Sequence, residues 1–78
     1  MYVTVRYYKP QLSGYAGMSY TYRTSLPLKA GEKVIAPTKG GDNRAIVLKA
    51  DVPESSIAPY LLPLLREITQ YDTEEEKA

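Results

Sequence analysis

Lys33 to Val52 reads KVIAPTKGGDNRAIVLKADV. Two apolar runs flank Lys39-Gly40-Gly41-Asp42-Asn43, whose paired glycines supply backbone conformations that other residues resist. The pattern predicts a β-hairpin: a third strand over 33–37, a tip at 39–43 and a long fourth strand over 44–52. Along the fourth strand, Ile46, Leu48 and Ala50 share one face, and Ala45, Val47 and Lys49 the other. KVIAP is apolar almost throughout, so cover on both faces is expected.

The chain on either side extends this hairpin into a sheet. Tyr2 to Tyr8 (YVTVRYY) is β-branched and aromatic, with Val3, Val5 and Tyr7 predicted to face inward. Met18 to Thr24 (MSYTYRT) alternates again, placing Met18, Tyr20 and Tyr22 on one face. Between them, PQLSGYAG carries one proline and two glycines and reads as a loop over 10–17. Leu26 to Glu32 is a turn-rich approach to the third strand, with Gly31 expected at positive φ. After the fourth strand, Pro53-Glu54-Ser55-Ser56 resembles a helical first turn. Pro59 and Pro63 forbid a long helix, because each removes an amide donor and clashes with the preceding turn. Residues 54–61 are therefore expected as one or two short helical turns. A closing edge strand over 62–69 is preferred to a short helix beginning at Pro63.

The expected fold is mainly β: a small barrel-like or strongly bent antiparallel sheet of four to five strands. Its expected core is Val3, Val5, Val34, Ile35, Ile46, Val47, Leu48 and Leu64. One domain spans 1–71, and 72–78 is an acidic tail expected to be disordered.

Composition narrows the chemistry. The 78 residues contain no Cys and no His. That removes disulfides, thiolate sites, the commonest zinc ligand and every Ser–His–Asp arrangement. Glu32 and Asp42 lie at separate turns and form no acid–base pair. Gly40-Gly41 precedes a strand rather than a helix and lacks the following Lys-Ser/Thr, so it is no phosphate loop. No enzymatic activity, metal or cofactor is expected. With no membrane-length apolar run and no signal sequence, the expected location is cytoplasmic and no membrane partner is expected.

Two features point to binding. All eight aromatic residues are Tyr; rings at the edge of a core keep their hydroxyls in water, and exposed rings stack on bases. Charge is also segregated. Residues 1–50 carry eight Lys and Arg against two acids, or +6, and residues 51–78 carry two against seven, or −5. Tyr20-Thr21-Tyr22-Arg23 on the second strand, beside Lys39 and Arg44 of the hairpin, joins aromatic rings to cations. Single-stranded nucleic acid uses that combination, stacking for its bases and positive charge for its phosphates.

Ser19 to Leu48 reads SYTYRTSLPLKAGEKVIAPTKGGDNRAIVL, and Glu54 to Ile68 reads ESSIAPYLLPLLREI. Over residues 18–68 this resembles the N-terminal DNA-binding domain of primosomal helicases of the PriA type. The matching positions are Tyr20, Tyr22, Lys29, Gly31, Val34, Ala36-Pro37, Lys39, Arg44, Ile46-Val47 and the closing Leu62-Pro63-Leu64. The resemblance implies capture of a DNA 3′ end by an aromatic–acid–Tyr motif, which falls on Tyr20, Thr21 and Tyr22. This chain has Thr21 where the family has the acid, and a threonine is a weaker acceptor for a terminal hydroxyl. A stand-alone accessory protein without the helicase motor is expected.

The expected function is thus a non-enzymatic accessory module for single-stranded DNA or a DNA end. Its expected site is Tyr20, Thr21, Tyr22, Arg23, Lys39 and Arg44. The alternative is a protein-interaction or self-assembly module that uses exposed Tyr and sheet edges, with a protein partner or a second copy of the chain.

Overall fold

The computed structural model describes residues 1–72. Six strands form one bent sheet in the order β5-β2-β1-β4-β3-β6. They are β1 (Tyr2–Lys9), β2 (Gly14–Thr24), β3 (Lys33–Thr38), β4 (Gly41–Val52), β5 (Glu67–Ile68) and β6 (Gln70–Tyr71). The mainly β architecture is the expected one. It gains a sixth strand, and it is mixed rather than wholly antiparallel because β5 runs parallel to β2.

β1 and β4 are the centre, each buried edge-on by a neighbour. Register decides which side chains enter the core. Val3 faces Tyr22, Val5 faces both Tyr20 and Val47, and Val34 faces Ala45. Val3, Val5, Val34, Ala36, Ala45 and Ile68 have no exposed surface, and Val47 has 1%. Val3, Val5, Val34 and Val47 were expected there, but Ile35, Ile46 and Leu48 are only half-buried and Leu64 is 70% exposed. On β4 the smaller residues take the inside because Ala45 pairs with Tyr7 and Val47 with Val5. Alternation alone names two faces and leaves open which of them is inner.

The hairpin tip is tighter than expected. Thr38 pairs with Gly41, whose φ is 123°, and the Thr38 hydroxyl donates to the Gly41 carbonyl. Gly31 stands at φ 94°, as expected, and its N–H donates to the Val47 carbonyl at 2.8 Å. The expected 10–17 loop shrinks to a 3₁₀ turn over Pro10–Leu12 and a left-handed Ser13. Its glycines serve a strand instead: the β1–β2 register shifts between Arg6 and Tyr8, opposite a stretch holding Gly17 at φ 92°. Such a bulge needs a residue free of Cβ strain.

The last third wraps around the sheet. Glu54–Ser56 and Pro59–Leu64 are 3₁₀ turns; Pro59 opens the second of them and Pro63 lies inside it. The edge strand expected over 62–69 therefore starts late, at Glu67, because Leu62–Leu64 complete the turn. Beyond it, Glu67–Tyr71 is one continuous segment broken only at Thr69. Its first half pairs with β2 and its second half with β3. One segment thus bridges the two ends of an otherwise open sheet and delivers Ile68 to the core.

Asp72 belongs to the fold, although its charge places it in the tail. Its N–H donates to the Lys33 carbonyl at 3.0 Å, and its carboxylate accepts from Arg44 Nε at 2.8 Å. The rest of the acidic tail, 73–78, lies outside the described residues.

Candidate functional site

β2 pairs with β5 only at Arg23 and Thr24, and β3 pairs with β6 only at Val34 and Ile35. Beyond those pairs the two strands diverge, and an open groove of about 470 Å³ lies between them. Tyr7, Tyr20 and Tyr22 line one side, Thr38 and Lys39 the hairpin side, and Leu61, Leu64 and Arg66 the lip.

The three tyrosines have different roles. Tyr22 is 4% exposed and belongs to the core. Its hydroxyl donates to the Pro37 carbonyl at 2.8 Å, tying β2 to β3 across the base of the groove. That commits its only proton, so at the 2.6 Å contact Tyr7 donates and Tyr22 accepts. Burial first, and the Tyr7 hydroxyl second, hold the Tyr22 phenol well above its ordinary range. Tyr20 is 41% exposed and stacks on Tyr7 with ring centroids 4.7 Å apart and planes 15° apart. Tyr7 thus covers one face of the Tyr20 ring and holds it in place.

The expected site divides accordingly. Tyr20, Thr21, Tyr22 and Lys39 line the groove. Tyr22 does so as a structural member with no ring free to stack. Arg44 is elsewhere. It pairs across the ladder with Ile35 rather than with a core residue. Its guanidinium lies 4.7 Å from the Tyr8 ring centroid, and its Nε is bonded to Asp72. Lys39 and Arg44 therefore do not form one basic hairpin patch. Arg23 is exposed and pairs with Tyr2 and Glu67, outside the groove.

Sequence reasoning missed Tyr7 and Arg66. Tyr7 carried a signal, since its alternation places it inward beside Val5. Arg66 carried a weaker one, as the sole cation between Asp51 and Asp72. Its approach to Lys39 depends on how the last third wraps.

Among the described residues no group of three or more acidic side chains is placed to hold a metal ion, and no helix is long and apolar enough to cross a membrane. Comparison with protein-family models, with characterised proteins and with solved structures finds no match to this chain. None of the three links the chain to the primosomal DNA-binding domain.

Proposed function

We propose that the chain is a non-enzymatic binding module that holds a short stretch of single-stranded nucleic acid in the groove between β2 and β3. One observation carries this reading: the half-exposed Tyr20 ring is fixed against Tyr7 inside a groove that Lys39 and Arg66 also line. A base stacks on Tyr20, and the two cations meet the phosphates on either side. Thr21 contributes a hydroxyl in place of the family's acid, which argues for a strand held by stacking and charge rather than for a strictly read 3′ end.

The test is a titration of labelled single-stranded oligonucleotides, with free and blocked 3′ ends, at low salt, where attraction to phosphates is greatest. Tyr20→Ala is expected to cost about 1–3 kcal/mol of binding. Replacing Lys39 and Arg66 together by Gln is expected to lower the salt slope by about 1.4, at about 0.7 per single-strand contact. A folded protein that ignores oligonucleotides at low salt removes the proposal. The competing reading, a groove for a protein partner, has its own observation in Leu64, which lines the groove and is 70% exposed. Loss of oligonucleotide binding together with concentration-dependent association would favour it.

A further inference from the structure

A second, smaller cleft of about 380 Å³ lies between the sheet and the segment following β4. Its polar lining is Thr4, Thr21, Lys49, Asp51 and Ser56. None of these five side chains makes a hydrogen bond or ion pair among the described residues. Lys49 and Asp51, opposite in charge and two residues apart, line the same cleft without pairing with each other. A bulge arranges this. Between the pairs Thr4–Lys49 and Tyr2–Val52, β4 has one residue more than β1, and Asp51 takes a left-handed φ of 52°. Asp, like Asn, is among the few non-glycine residues that adopt that conformation readily, and the bulge re-aims the side chain. The opposite wall is apolar, made by Val52, Leu61 and the buried Ile57.

We infer that this cleft binds a small zwitterion with an apolar substituent, of the class of a free α-amino acid with an aliphatic side chain. Its carboxylate meets Lys49 and its ammonium meets Asp51. The Thr4, Thr21 and Ser56 hydroxyls donate or accept at either end. The aliphatic part packs against Ile57 and Leu61. A ligand of one charge would engage only one of Lys49 and Asp51 and leave the other to water. The zwitterion uses both, together with the apolar wall. The inference does not rest on the nucleic-acid reading, although Thr21 and Leu61 line both cavities.

The experiment is an NMR titration of the amide resonances with L-leucine, N-acetyl-leucine, leucine methyl ester and glycine. Leucine is expected to shift Thr4, Thr21, Lys49 and Asp51. The acetylated and esterified forms, each lacking one charge, are expected to bind at least about tenfold more weakly. Glycine, lacking the aliphatic part, is expected to be weaker as well. Lys49→Gln and Asp51→Asn are each expected to lose about tenfold in leucine affinity while melting like the parent. Asn is at ease at positive φ, and Lys49 is exposed. N-acetyl-leucine binding as tightly as leucine would overturn the inference in favour of a simple anion site. The methyl ester binding as tightly would overturn it in favour of a cation site. No shift with any of the four would overturn it outright. The analogue series uses the unaltered protein, so its outcome does not depend on either variant folding.

Discussion

Replacing Tyr22 by Phe removes one oxygen atom and keeps the ring. That oxygen donates to the Pro37 carbonyl and accepts from Tyr7, at 2.8 and 2.6 Å. Two hydrogen bonds at about 1 kcal/mol net each give an expected loss of about 2 kcal/mol. In a domain this small, 1 kcal/mol moves the melting temperature by about 4–8 °C, so a drop of roughly 8–16 °C is expected. A second readout isolates the hydroxyl. In the unfolded chain the phenol ionises near its ordinary value of 10.0, and in the fold it keeps its proton to a higher pH. Above about pH 10 the unfolded state therefore binds fewer protons than the native state, and its stability relative to the native state rises. The advantage of the parent over Tyr22→Phe is full below that pH and shrinks as pH rises through the alkaline range. Guanidinium unfolding of both proteins across pH 8–12 measures it. An unchanged melting temperature, or a difference between the two that stays constant with pH, would refute the buried Tyr7–Tyr22–Pro37 chain. Oligonucleotide affinity of the variant should stay close to the parent's, because the Tyr22 ring is core and Tyr20 is the platform.

Ile68→Ala should cost about 2–5 kcal/mol, enough to unfold much of a domain whose total stability is about 5 kcal/mol. Ile46→Ala, at a half-buried position on the other face, should cost clearly less; equal losses in a denaturant series would show the register to be wrong. Asp72→Ala removes one charged hydrogen bond from Arg44, which keeps its contact with the Tyr8 ring and 30% of its side chain in water, so the expected loss is about 1–3 kcal/mol. An unchanged denaturation midpoint would return Asp72 to the tail. Tyr20→Ala should lower oligonucleotide affinity as stated above with only a small change in melting temperature, because the ring is 41% exposed; comparable losses of both would make Tyr20 structural.

The first four strands were legible because their signals are local. Alternation fixes YVTVRYY and MSYTYRT as strands, and Gly40-Gly41 fixes the hairpin. What the sequence does not carry is long-range register. Ile46 and Val47 are equally good core residues until Val5 selects one of them across the ladder. Arg44 was read as a free cation because its partner, Asp72, lies 28 residues away inside an acidic run. The candidate site was half legible for the same reason. Tyr20 and Lys39 announce themselves by type, while Arg66 joins them in the groove lining only through the wrapping of the proline-containing turn Pro59–Leu64. Glycine also misled: in the 10–17 segment it permits a bulged strand rather than interrupting one.

The segment Glu67–Tyr71 gives up its register to both ends of the sheet at once. A ribosome makes those five residues near the end of the domain. Until they leave the exit tunnel, a nascent chain that has finished β4 displays two raw edges, on β2 and β3, and a core without Ile68. The pairings of β1 to β4 can precede this segment, but the sheet edges and the core are completed only with it. Stalled or truncated products ending at Val52 keep both edges open and are the species a cell would have to keep from pairing with one another.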